Sequence, residues 1–236
     1  MKTLWNLASS ATLLVALVIS TGCSSIPDHA APAQSKESQA AITPTAALDR
    51  LKEGNWRFRS GHLLTRHYES QRKETAGGQH PFAIVLGCID SRCAPEQVFD
   101  QGIGDIFSAR IAGNVVNEDL LGSMEFACKV AGAKLITVLG HSKCGAVQGA
   151  ANHVEMGNLT ALLARIRPAV DATLPKDQTG KATPDQLAMI TQANVERVVR
   201  EITERSPILA ELQKSGKLKI VGGIYDLESG AVKFLE

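Results

Sequence analysis

The chain has 236 residues and a formal charge of +1, with 25 basic side chains against 24 acidic ones. That balance leaves no electrostatic footprint for nucleic acid, and 44% hydrophobic with 21% charged residues excludes a disordered main body. The length suits one α/β domain with a sizeable core.

The N-terminus is set apart. Lys2 precedes an apolar run from Leu7 to Ile19, followed by Ser20, Thr21, Gly22 and Cys23. A basic start, a short apolar stretch and a small-residue end describe a secretory signal over residues 1–22, and the run is shorter than the roughly 20 apolar residues a spanning helix needs. Its end resembles a bacterial lipoprotein signal, which implies lipidation of Cys23, although Ser20 stands where Leu is usual. Ordinary cleavage near Ala31-Pro32-Ala33 is the alternative. Both readings predict an exported protein, either periplasmic or anchored to a bacterial envelope through an N-terminal lipid. Residues 23–43, rich in Ser, Ala, Pro and Gln, read as a flexible tether. The domain is then 44–236.

Thr43-Pro44 has the form of an N-cap followed by Pro at the first helical position. Ala46, Leu48, Leu51, Trp56 and Phe58 extend that helix to about Arg59. Phe82 to Leu86, bounded by Pro81 and Gly87, reads as a buried strand, with a second strand near Ile106 to Ile111. A helix is expected over Asp119 to Ala131, with Leu120, Met124, Ala127 and Val130 on one side. Lys134 to Leu139 is the clearest strand, and a helix should open at Gly145. Helices follow over Pro184–Arg205 and Pro207–Ser215, then strands over Leu218–Ile224 and Ala231–Leu235. Alternating strands and helices predict an α/β fold with a central, mainly parallel sheet flanked by helices. Ligand sites in such sheets lie beyond the carboxyl ends of the strands.

Two short blocks occupy that kind of position. CIDSR runs from Cys88 to Arg92 and HSKCG from His141 to Gly145. Cys88, His141 and Cys144 offer two soft sulfurs and an imidazole, a donor set that selects zinc. Structural zinc sites close with four protein ligands and catalytic ones keep a position for water. Three ligands beside the Asp90–Arg92 pair therefore point to hydration or hydrolysis.

The chain resembles a β-class carbonic anhydrase from about Pro44 onward. The phrases that carry the resemblance are GNWRF, CIDSR, PEQVFDQGIGDIF, AGNVV, GSMEF, GHSKCGAV, SPIL and IVGGIYDLESG. It implies that Cys88, His141 and Cys144 bind one zinc ion per subunit and that Asp90 and Arg92 form a catalytic dyad. The reaction implied is reversible hydration of carbon dioxide to bicarbonate and a proton by zinc-activated hydroxide. The assembly implied is a homodimer or tetramer. In some members the equivalent of Asp90 swings onto the metal in an inactive state. Members that trap inhibitory bicarbonate often carry Trp three positions before the first Cys, where this chain has Val85. Gln79 matches a substrate-orienting position, and Phe107, Ala112 and Phe126 match a small apolar pocket, with Phe126 reaching across a dimer. Ile89 and Ile111 depart from the commoner Ser and Asn. Two thiolate ligands cancel the formal charge of zinc, so activity should rise toward alkaline pH.

The remaining groups are Cys93 and Cys128, read as free thiols with a disulfide as the alternative, and His62, His67, His80 and His153 as candidate proton relays. Two rival functions share the constellation. One is a carbonyl sulfide or carbon disulfide hydrolase on the same scaffold. The other is a non-catalytic zinc- or bicarbonate-binding envelope protein.

Overall fold

A computed structural model of the chain describes residues 30–175 and 180–235. The expected signal and Cys23 lie outside the described residues. Three helices open the chain: α1 (Lys36–Ala41), α2 (Pro44–Ser60) and α3 (Tyr68–Thr75). Then come β1 (Ala83–Gly87), α4 (Pro95–Val98), β2 (Ile106–Arg110), a 3₁₀ turn (Ala112–Asn114) and α5 (Glu118–Glu125), which runs into a π-turn over Phe126–Val130. They are followed by β3 (Leu135–His141), α6 (Gly145–Ala151), α7 (Gly157–Ala164), α8 (Arg167–Thr173), α9 (Pro184–Arg205) and α10 (Pro207–Lys214). β4 (Lys219–Tyr225) and β5 (Val232–Leu235) close it.

Helix starts follow the local chemistry. Thr43 caps α2 by accepting from the Ala46 N–H, Pro44 holds its first turn, and Gly61 ends it in the left-handed conformation at φ 74°. Thr183 and Gln186 form a reciprocal capping box on α9.

The expected tether is corrected from residue 30 on. Ser35 and Ser38 form a capping box that starts α1. The Gln39 amide, buried, donates to the carbonyls of Pro81 (2.7 Å) and Ala131 (2.8 Å), and Gln71 donates to the Ala31 carbonyl at 2.9 Å. Polar composition suggested a spacer, but these hydrogen bonds from two buried amides bind the segment to the domain. The helix expected through Ala131 is also corrected. It passes into the π-turn after Glu125, which leaves Val130 71% exposed while Met124 and Ala127 stay buried.

The sheet order is β2-β1-β3-β4-β5, parallel except for β5. β1 steps outward to β2 on one side, and β3 lies on its other side. The crevice where a ligand fits therefore opens at the carboxyl ends of β1 and β3. Alternate strand residues feed two cores. Ala83, Val85, Leu135 and Leu139 face one, while Ile84, Leu86, Ile136 and Val138 face the other with Val195, Val198 and Ile202 of α9.

α9 lies so close to β3 that a side chain at Gly140 has no room. A Cβ there would sit 2.6 Å from Val195 Cγ2, and Val195 is fully buried. Gly140→Ala is expected to destabilise the fold by about 1–3 kcal/mol through overpacking, read as a lower denaturant midpoint at unchanged slope. An unchanged midpoint would show that α9 can move away at no cost.

Candidate metal centre

β1 ends at Gly87, paired with Leu139 of β3. One residue beyond Gly87 the chain reaches Cys88, and two residues beyond Leu139 it reaches His141. Cys144 follows as the N-cap of α6. The ligand-bearing atoms of Cys88, His141 and Cys144 all lie within 4.8 Å of one another, and the three residues are buried. Adjacent parallel strands, rather than closeness in sequence, assemble the trio.

The donor set fits a zinc ion. His141 Nδ1 lies 2.9 Å from the Ser142 carbonyl oxygen, so the proton belongs there and Nε2 keeps its lone pair. Nε2 is buried and, among the described residues, meets no nitrogen or oxygen partner, only the Cys88 sulfur. That is the arrangement expected of a histidine ligand whose other nitrogen donates to a backbone carbonyl. Ser142 is itself held from the β4–β5 end: its N–H donates to the Tyr225 carbonyl at 2.9 Å, and its hydroxyl accepts from the Leu227 N–H at 3.0 Å.

The thiols are unlike each other. Hydrogen bonding from Cys144, helped by His141 and by the Gly113 N–H at 3.4 Å from the sulfur, holds Cys88 down to about 4 against its burial. The shared hydrogen bond with Cys88 pushes Cys144 up, as does burial. Burial opposes charge on His141, yet its contacts with Cys88 raise its pKa. Of the two thiols, Cys88 is thus the one favoured to ionise. A bound metal displaces the remaining protons.

Asp90 and Arg92 stand beside the trio. Arg92 Nε donates to Asp90 Oδ1 at 2.9 Å and Nη2 to Oδ2 at 2.8 Å, while the Arg92 backbone N–H adds a third bond to Oδ1 at 3.0 Å. This guanidinium fork holds the Asp90 carboxyl far below the usual carboxylate range. The carboxylate is engaged by Arg92 and stands outside the ligand trio. Arg110, at the end of β2, donates to the Cys88 carbonyl at 2.8 Å and to the Asp90 carbonyl at 2.6 Å. Sequence reasoning missed Arg110. The signal was the parallel register, which sets it opposite Gly87.

A cavity of about 430 Å³ opens over Cys88 and Asp90, walled by Ile89, Ala112, Val154, Leu159 and Leu163. Ala112 and Ile89 therefore reach the site. Ile111 instead packs, partly buried, against both cores. Gln79, Phe107 and Phe126 do not line this cavity in one copy of the chain. Gln79 is exposed on the loop before β1, at the opposite end of that strand from Cys88. Phe107, on edge strand β2, meets Phe126 edge-to-face at 6.4 Å, and Phe126 is 51% exposed. No histidine is among the residues lining the cavity. His62 stacks on Trp56, and His153 pairs with Arg167 at 2.7 Å. Cys93 and Cys128 are free and buried in cores on opposite faces of the sheet, which rules out a bond between them.

A larger apolar groove of about 760 Å³ lies on the far side of Cys144, between α9 and β4. It lacks the dyad.

Comparison with known proteins follows the same outline. The carbonic anhydrase family profile matches residues 83–232. Carbonic anhydrase 2 of Mycobacterium tuberculosis is 39% identical over 194 residues, covering 79% of this chain and 90% of that one. The solved β-carbonic anhydrase of Coccomyxa superposes with a TM-score of 0.62 at 29% identity, covering 69% of this chain and 75% of its own. A β-carbonic anhydrase of Aspergillus fumigatus gives 0.63 at 28%, covering 81% and 90%.

Proposed function

The chain belongs to the β-class carbonic anhydrases, lyases that hydrate carbon dioxide, and from that premise we propose that Cys88, His141 and Cys144 hold one zinc ion while Asp90 and Arg92 govern the reacting water. The observation that carries this reading is the convergence of two sulfurs and the buried Nε2 of His141 beside a carboxylate locked by Arg92. When bound, zinc supplies ionised water near neutral pH as the nucleophile. Asp90 would accept a hydrogen bond from the reacting water and so turn an oxygen lone pair toward the substrate. Arg92 keeps Asp90 ionised and fixes its plane. The walls of Ile89, Ala112, Val154, Leu159 and Leu163 suit carbon dioxide, which has no net dipole.

Exposed Phe126, its partner Phe107 on the unpaired edge of β2, and Gln79 all lie away from the cavity of their own copy. Their positions support a homodimer or tetramer in which they serve a neighbouring copy's site. The N-terminal run supports export, either as a periplasmic protein or as a lipoprotein modified at Cys23.

Stopped-flow assays of the purified protein test the reaction. Carbon dioxide hydration is expected, rising toward alkaline pH and lost on chelation. Turnover of only carbonyl sulfide or carbon disulfide, or of none of the three gases, overturns the reading.

A further inference from the structure

We propose that Asn194 is a positioning residue for the metal centre: from α9 it fixes the Ala112–Asn114 turn so that the Gly113 N–H donates to the Cys88 sulfur. The inference rests on the reading that Cys88, His141 and Cys144 bind zinc.

Asn194 is 1% exposed. Its Nδ2 donates to the Gly113 carbonyl at 2.9 Å. Its Oδ1 accepts from Arg197 Nη2 at 3.2 Å, and the same nitrogen donates to the Arg165 carbonyl at 2.6 Å. A donor on one side and an acceptor on the other leave the amide a single orientation. The turn it holds is not one the chain adopts freely. Gly113 has φ 69° and Asn114 φ 44°, two successive left-handed residues. A Cβ on Gly113 would meet Ile166 Cδ1 at 2.5 Å. Ile166 and Asn194 together therefore clamp the turn, and the clamp aims the Gly113 N–H at Cys88 Sγ, 3.4 Å away.

The consequence is electronic. A thiolate that accepts a hydrogen bond gives less charge to its metal, and such outer contacts tune both affinity and reactivity. In a centre with two thiolates this bond preserves part of the zinc ion's Lewis acidity. Asn194 touches neither substrate nor metal and acts through Gly113.

Two measurements decide it. In wild-type protein loaded with ¹¹³Cd, the Gly113 amide proton should show scalar coupling to the metal through Cys88 Sγ. No coupling overturns the proposal whatever the variants do. In Asn194→Ala and Asn194→Asp, the thiolate-to-cobalt band of the cobalt-substituted protein should move to longer wavelength. Zinc affinity, read by chelator competition, should fall about 10- to 100-fold, because the freed turn no longer holds Cys88 in its ligating position. The band position belongs to folded, loaded molecules and does not follow the folded fraction. A lower Tm with band and zinc affinity unmoved would mark Asn194 as merely structural and sink the inference. Wild-type protein that binds no zinc would instead sink the reading of the site itself.

Discussion

Asp90→Asn is expected to lower carbon dioxide turnover about 10²- to 10⁴-fold, the range for removing a positioned proton-handling group, while zinc content stays at the wild-type level. The carboxylate accepts three hydrogen bonds from Arg92. An amide in its place would turn an NH₂ group either toward the guanidinium, donor against donor, or toward the reacting water, which then loses its acceptor. Zinc stays because Asp90 lies outside the ligand trio. Hydration rates and metal analysis on the same preparation check both halves, and unchanged turnover would remove the dyad from the mechanism.

The pH dependence has a definite sign. The Asp90 pKa is depressed in the folded chain. Its ionised form is therefore present at neutral pH and persists below the ordinary aspartate value of about 3.9. Whatever stability the pair contributes is present above that value and is lost as pH falls through the folded-state pKa. Arg92 is 57% exposed in its side chain, so that stability term is small. The fork contributes orientation instead, and loss of rate on mild acidification must come from another group.

His141→Ala is the second large effect. It should abolish zinc binding and bring the hydration rate to the uncatalysed background, because water without the metal has a pKa near 15.7 rather than about 7. Added zinc should not restore it at concentrations that saturate the wild type. The fold should survive: β1 and β3 are buried on both faces by the two cores, so far-UV circular dichroism stays native while Tm falls by the lost binding energy. A zinc-loaded, active His141→Ala protein would dismiss the trio as the metal site.

The chemistry was legible in the sequence because its signals are local. Cys88, Asp90 and Arg92 share one turn, His141 and Cys144 another, and each follows an apolar run that reads as a strand. Thr43-Pro44 announced α2 for the same reason, since a cap acts over three or four residues. The short helices α1, α3, α4, α7 and α8 carry too few residues for a periodic apolar face to stand out in the sequence. Gln39 of α1 reads as spacer until the carbonyls of Pro81 and Ala131 are seen above it.

By itself, the sequence determined the family, and it placed the candidate ligands Cys88, His141 and Cys144 after strands with Asp90 and Arg92 beside them. The tertiary structure alone decided which groups hold the site in shape. Arg110 reaches the Cys88 carbonyl because β2 pairs with β1 in parallel. Asn194 reaches Gly113 because α9 crosses the sheet at Gly140. Gln79, Phe107 and Phe126 stay out of the cavity because they sit at the far end of β1 and beside the sheet edge. Such partners are set by strand register and helix packing between distant segments, and no pattern of a few neighbouring residues encodes them.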